Sequence, residues 1–134
     1  MKNGKGFTII ELVTVITILG ILAAVALPKF FDVQTDAYNA AAKGVAGALA
    51  SGSAVNYGAR LAKGATTGLV VMTALSNACT AATLQGLLTG GAIPTGYTIA
   101  GTFSPAVNGD TGTCTVTNSG GGSAQNATII AVVN

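Results

Sequence analysis

Histidine is absent from this sequence of 134 residues, and charged side chains make up only 7% of it. Without histidine, the chain lacks the commonest metal ligand and the commonest general base. Its four carboxylates are far apart in the sequence, and no nucleophile elbow, phosphate-binding loop or paired-acid motif is present. The sequence therefore predicts a protein that is not an enzyme and that holds no metal ion or cofactor.

The few charges nearly cancel. Six Lys and Arg residues against four Asp and Glu residues give a net charge of +2, and two of the lysines, Lys2 and Lys5, precede a long apolar run. A nearly neutral surface favours association over mutual repulsion. No basic patch is interleaved with aromatic side chains, so no specific nucleic-acid partner is predicted.

The apolar run extends from Phe7 to Leu27, and its only ionisable side chain is that of Glu11. Such a run is long enough to cross a bilayer, which takes about 20 residues. Lys2 and Lys5 would then lie on the cytoplasmic flank, with the rest of the chain on the outer side. A cleaved secretory signal peptide is the alternative, but its apolar core holds about 7 to 15 residues, whereas this run is longer and contains an acid.

Both cysteines, Cys79 and Cys114, follow the apolar run. If that run carries the remainder of the chain across a membrane, the compartment is oxidising and a disulfide is expected. Such a bridge would stabilise the fold by about 3 to 4 kcal/mol in the chain-entropy model. Two buried thiols are the alternative.

Downstream of Pro28 the apolar pattern becomes that of an amphipathic helix. Small residues recur at three- and four-residue steps, at Ala37, Ala41, Val45, Ala48, Gly52, Val55 and Ala59. The pattern predicts one helix from about Phe7 to about Leu61, roughly 80 Å long, that packs this small-residue face on a sheet. Four glycines weaken its second half, which indicates either close packing against a neighbour or a second helix break. They are Gly44, Gly47, Gly52 and Gly58.

Strand signals dominate the last third of the chain. The stretches "YTIAGTF", "TCTVT" and "NATIIAVV" alternate or run apolar as strands do, and "NSGGGSAQ" is typical of a turn. Before them, Thr80 is predicted to cap a short helix or turn that ends at Gly90. The fold class is therefore α+β, with a long N-terminal α-helix and a small antiparallel β-sheet as the globular head.

The stretch "GFTIIELVTVITILGILAAVALPKF", which begins at Gly6, resembles the class III signal and N-terminal helix of type IV pilins. A Gly precedes a Phe, an acid follows five residues after that Gly, and a long aliphatic run ends at a Pro. The stretch "LPKFFDVQTDA" further resembles the mannose-sensitive-haemagglutinin-type branch. The resemblance divides the chain into a leader peptide (1–6), a transmembrane and filament-core helix (7–28), an amphipathic second half of that helix (29–63) and a globular head (64–134).

The resemblance also implies what individual residues do. A prepilin peptidase would cleave between Gly6 and Phe7 and methylate the new amino terminus of Phe7. Glu11 would pair with the methylated ammonium group of a neighbouring subunit, which compensates the cost of a carboxylate in hydrocarbon. The helix between Gly20 and Pro28 would lose its helicity in the filament.

The function that the resemblance implies is that of the major subunit of a type IV pilus. The precursor would reside in the inner membrane, and the pilus assembly machinery would polymerise it into an extracellular helical homopolymer for adhesion and twitching motility. A pseudopilin of type II secretion is the alternative, but such proteins bind calcium through a C-terminal acidic loop and lack the disulfide, and this chain has only Asp110 in that region. Two further alternatives are a membrane-anchored binding module without a polymer and, for Glu11, an acid that merely snorkels to the membrane surface.

Overall fold

The computed structural model describes residues 6–134 and divides the chain into two compact units. The first unit ends at Gln34, and the second comprises Thr35–Asn134. Lys2, Lys5 and all of the predicted leader except Gly6 lie outside the described residues.

One helix, α1, extends over Ile9–Lys63, so it begins and ends two residues later than predicted. It ends at Gly64, which adopts a φ of +64° and donates its N–H to the carbonyl of Arg60 at 3.0 Å. This left-handed helix end favours glycine, which has no Cβ to clash. The helix is continuous through residues 44–58, so the alternative of a second break at the glycines is wrong.

Three strands form an antiparallel sheet in the second unit, in the order β1-β2-β3. They are β1 (Tyr97–Ala100), β2 (Thr111–Asn118) and β3 (Gln125–Ile130). Successive side chains point to opposite faces of a strand, so Cys114 and Val116 of β2 are buried while the threonines beside them remain at least partly exposed. The predicted small antiparallel sheet is confirmed.

The second half of α1 packs on this sheet through a face one residue away from the predicted face. The buried helix residues are Ala42, Ala46, Leu49 and Ser53, whereas Ala41, Ala48 and Val55 of the predicted face are exposed. Leu49 explains the difference, because it buries more apolar area than any side chain on the predicted face. It joins the same core as Val116 and Ile129.

The chain between α1 and the sheet forms a shorter helix than predicted. Thr80 caps it as predicted, and its hydroxyl accepts a hydrogen bond from the N–H of Thr83 at 3.2 Å. The α-helical part, α2, covers only Ala81–Leu84 and continues as a 3₁₀ turn at Gln85–Leu87. Gly86 falls inside that turn, and glycine weakens helix propensity, so the helix does not continue to Gly90.

Candidate functional site

Gly6, Phe7 and Thr8 form a short non-helical stretch ahead of α1. All three are exposed, and 87% of the Phe7 side chain is accessible. A Cβ placed on Gly6 would meet no atom within 4 Å. The peptide bond between Gly6 and Phe7 therefore lies in an exposed, non-helical part of the chain, where proteases cleave most readily.

Thr8 and Glu11 bind each other at the start of α1. The N–H and the hydroxyl of Thr8 both donate to Oε2 of Glu11 at 2.8 Å, and the N–H of Glu11 donates to the Thr8 hydroxyl at 3.3 Å. This reciprocal arrangement is a capping box, and it uses N–H groups that have no partner within the helix.

The threonine hydroxyls near the start of α1 bind in two ways. Thr14 and Thr17 donate to the carbonyls four residues before them, at 2.8 and 2.7 Å. Thr8 instead donates to Glu11. The sequence contained the signal, because a Thr three residues before a Glu at the start of an apolar run is the pattern of this cap.

Phe7 and Glu11 lie on the same side of the helix start. Both line a shallow surface hollow of about 330 Å³, together with Ile10, Thr14 and Val15. The structure therefore brings together the residue predicted to carry the new amino terminus and the residue predicted to pair with such a terminus in a neighbour.

The first unit of the chain exposes an unusually large apolar surface. Part of α1 is long and apolar enough to cross a membrane, and none of that part is buried. The core helix of a soluble protein can have the same length and composition, but it would be covered. The large exposed side chains are Ile9, Ile10, Leu12, Val13, Val15, Ile16, Ile18, Leu19, Ile21, Leu22, Val25, Leu27, Phe30, Phe31 and Val33.

Gly20 and Pro28 both lie inside α1, which is helical across the segment between them. A Cβ on Gly20 would meet no atom within 4 Å, so no contact within the chain requires a glycine there. Proline has no N–H, so Pro28 leaves the carbonyl four residues earlier without its usual helical partner. The loss of helicity in a filament stays a prediction.

Cys79 and Cys114 form a disulfide within the second unit, as predicted. Both are buried in the core, where the bridge joins the segment before α2 to strand β2. Asn77, which the sequence reasoning missed, organises this region. Its Oδ1 accepts from the N–H groups of Cys79 at 2.9 Å and Phe103 at 3.2 Å, and its amide donates to the carbonyl of Gly101 at 3.0 Å.

Asp110 closes the turn that leads into β2. Its Oδ2 accepts from the N–H of Val107 at 3.0 Å and from that of Ala106 at 2.7 Å, and these hydrogen bonds lower the pKa of the Asp110 carboxyl below its usual value. Among residues 6–134, no three His, Cys, Asp or Glu side chains are close enough to hold a metal ion. The Asp110 carboxylate therefore serves as a turn cap.

Comparison with known proteins yields one family model, the prokaryotic N-terminal methylation motif, which matches residues 1–27. The chain is 45% identical over 53 residues to the type IV narrow pilus major component of Thermus thermophilus. Over 32 residues it is 59% identical to a fimbrial protein of Pseudomonas aeruginosa and 62% identical to the type IV major alpha-pilin of Moraxella bovis.

These similarities cover only part of each protein. The match to the Thermus protein covers 40% of this chain and 46% of the relative, and the other two matches cover 24% of this chain and 21% and 20% of the relatives. The chain thus spans less than half the length of these curated relatives. No solved structure matches it.

Proposed function

We propose that this chain, which carries the N-terminal methylation segment of the type IV pilins, is the major structural subunit of a type IV pilus. The observation that carries the proposal is the start of α1. There, an exposed Gly6–Phe7 bond and a single carboxylate precede a helical segment whose apolar side chains are all exposed. In the precursor, lipid covers this apolar surface. In the fibre, the same surface of other copies covers it, and both environments shield it from water.

The precursor is held in the inner membrane by its apolar segment, residues 7–28. A prepilin peptidase cleaves after Gly6, at the open end of the segment, and the new amino group on Phe7 is methylated. The leader of residues 1–6 is then absent from the working subunit. The outward-facing part of the chain lies in an oxidising compartment, which is consistent with its disulfide.

Glu11 directs the assembly step. Both hydrogen bonds from Thr8 reach one carboxylate oxygen, Oε2, so the carboxylate retains a second oxygen for the ammonium group of a neighbour. A charge in an apolar environment is costly unless an opposite charge compensates it, so docking next to the amino terminus of a neighbour relieves that cost. The pairing fixes the register of each added subunit. The helix between Gly20 and Pro28 loses its helicity when the subunit packs against its neighbours in the fibre.

The assembled product is a helical homopolymer on the cell surface, built by the pilus assembly machinery, which serves adhesion and motility. The subunit has a structural role and performs no catalysis. Assignment to the mannose-sensitive-haemagglutinin-type branch rests on the stretch "LPKFFDVQTDA" and is part of the proposal.

A type II secretion pseudopilin is the alternative function, with a periplasmic fibre in place of a surface pilus. Two observations support the pilus instead. The names of the similar proteins refer to pili or fimbriae, and Asp110, the only acid in the C-terminal half of the chain, is engaged by backbone N–H groups. Filaments sheared from the surface of cells with normal secretion would support the pilus, whereas a fibre confined to the periplasm would support the pseudopilin.

Mass spectrometry of sheared surface filaments tests the proposal directly. We expect a polypeptide that begins at N-methylated Phe7 and is lighter by two hydrogens for the disulfide. A chain that retains residues 1–6, or that is absent from surface filaments, would refute the proposal.

Two variants separate the assembly role of Glu11 from its role in the capping box. Replacing Glu11 by Gln removes the charge that pairs with the neighbour, so we expect surface filaments to fall by about tenfold or more. Replacing Thr8 by Val removes the capping hydroxyl and keeps the carboxylate, so we expect a much smaller loss. Filament yield by quantitative immunoblot, with the membrane pool as reference, measures both. Gln keeps the capping acceptor, so a filament yield from Glu11→Gln that equals or exceeds the yield from Thr8→Val would mean that Glu11 acts only as a helix cap.

A further inference from the structure

A surface groove of about 640 Å³ lies within the second unit, beside the C-terminal half of α1. One wall is the helix. The other wall consists of Gly68 and Leu69, which follow the helix, and of residues 86–89, in and just after the 3₁₀ turn. The residues that matter here are Ser51, Val55 and Lys63 on the helix and Leu69, Leu87 and Leu88 opposite.

Contacts between residues of its lining and the segment after the helix fix the groove. The Asn56 side chain accepts from the N–H of Val70 at 3.0 Å and donates to its carbonyl at 2.8 Å, which fixes the segment after the helix. At Gly52, the carbonyl of Leu87 comes so close to the helix that a Cβ would overlap it. Both walls are therefore fixed by the fold before any ligand arrives, which lowers the entropic cost of binding.

The lining of the groove defines the chemistry of its occupant. Most lining side chains are apolar or small, and Lys63, which is exposed, is the one charged residue among them. An occupant must therefore offer apolar side chains together with a carboxylate that can approach the Lys63 ammonium group.

The chain itself contains a segment with this chemistry. Phe30 and Val33 are 80% and 67% exposed, and residues three apart lie on one side of a helix. Asp36, three residues after Val33, is exposed as well. Glu11 is assigned to the amino terminus of a neighbour in the proposed function, and Asp110 binds backbone N–H groups of its own turn.

We infer that the groove receives Phe30 and Val33 of a second copy of this chain, with Asp36 of that copy beside Lys63. The inference rests on the proposed function, because it names the segment of the neighbouring subunit that docks on the head. Burial of the two apolar side chains supplies most of the attraction, and the charge pair selects the register.

Cysteine cross-linking in filaments tests the placement. Cells would co-express a tagged Lys63→Cys copy and an untagged Asp36→Cys copy, and sheared filaments would be treated with a mild oxidant. We expect a tagged-untagged dimer on a non-reducing gel. Lys43→Cys, at an exposed lysine of the same helix that does not line the groove, replaces Lys63→Cys in the control pair and should give no dimer.

Charge exchange tests the energetics. Lys63→Glu alone and Asp36→Lys alone each create a like-charge pair, so we expect each to lower the ratio of filament to membrane pool by about fivefold. The double variant should restore the ratio, and Lys43→Glu should leave it unchanged. The double variant also carries Lys63→Glu. Recovery in the double variant would therefore show that the loss in Lys63→Glu alone does not come from a less stable helix end.

The outcomes separate this inference from the proposed function. If the unmodified chain forms no filaments, the proposed function fails. If it forms filaments but the 36–63 dimer is absent, is no stronger than the control dimer or involves a different protein, the docking inference is wrong and the proposed function stands. Failure of the double variant to restore assembly would also overturn the inference.

Discussion

At the scale of single residues, asparagine side chains replace regular secondary structure in holding the loops of the second unit. Asn39 accepts from the N–H of Ser123 at 2.6 Å although 84 positions separate the two in the sequence. Asn108 likewise accepts from the N–H of Val133 at 2.8 Å, beyond the end of β3. Val133 is buried, so its N–H needs a partner, and the Asn108 side chain supplies it where no strand is adjacent.

Asp110 provides a pH-dependent test at this scale. Hydrogen bonds from Val107 and Ala106 lower its pKa below the ordinary value of 3.8. A carboxyl whose pKa is lower in the folded state contributes stability above its unfolded pKa and loses that contribution as the pH falls through the folded value. We therefore expect Asp110→Asn to lower the thermal midpoint at pH 7 and to have a diminishing effect below about pH 4.

Circular dichroism of the detergent-solubilised chain from pH 7 to pH 2 would measure this difference. Asp36→Asn is the matched control, because it removes one carboxylate from the same unit without touching the turn before β2. An Asp110→Asn deficit that stays constant down to pH 2 would show that the loss comes from the changed side chain rather than from the charge.

At the scale of secondary-structure elements, the four glycines in the second half of α1 have different roles, although the sequence pattern does not distinguish them. A Cβ at Gly52 would overlap the carbonyl of Leu87, whereas one at Gly44, Gly47 or Gly58 would meet no atom within 4 Å. Only Gly52 is therefore required by packing within the chain. The other three lower the helix propensity of α1 and are not explained by any contact in a single copy.

Two alanine substitutions in α1 are expected to act in opposite directions. Gly52→Ala forces the helix and the 3₁₀ turn apart, so we expect a loss of about 1 to 3 kcal/mol in the free energy of unfolding. Gly47→Ala adds a side chain in open space and improves helix propensity, so we expect a gain of up to about 1 kcal/mol. Denaturant titration followed by circular dichroism measures both. A shift of the same sign in the two variants would contradict the packing assigned to Gly52.

At the scale of the whole molecule, the two units use apolar residues differently. Among residues 6–134, the core draws only on residues from Ala42 onwards, and it includes Leu49, Met72, Leu84 and Ile129. The large apolar side chains of residues 7–33 are exposed. The second unit therefore builds its core from its own residues.

A fragment of residues 35–134 should accordingly fold without the first unit. We expect a monomer in aqueous buffer that forms the Cys79–Cys114 bridge and unfolds cooperatively. Gel filtration and thermal melting monitored by circular dichroism would check this.

In the same fragment, replacing both cysteines by Ser should lower the free energy of unfolding by about 4 kcal/mol, because the bridge closes a loop across 35 positions of sequence. Aggregation of the bridged fragment would show that the first unit is needed for folding.

Several features could be predicted from residues near in sequence. The helical span of α1, the Thr80 cap and the alternation in β2 each depend on a periodic pattern or a residue type at a fixed spacing. The capping box of Thr8 and Glu11 also has a local pattern, although it was not recognised. The helix face that packs on the sheet was predicted one residue out of register, because small side chains alone do not distinguish the two faces.

The sequence by itself determined the long apolar helix with its single carboxylate and the α+β class, because local periodicity and residue type carry that information, and it favoured a disulfide over two free thiols. Only the tertiary structure decided which face of α1 is buried, which glycine permits close approach and how the walls of the groove beside Lys63 are held. Each of these depends on atoms distant in sequence, such as the Leu87 carbonyl against Gly52 and Val70 against Asn56. Their positions follow from packing the whole unit at once.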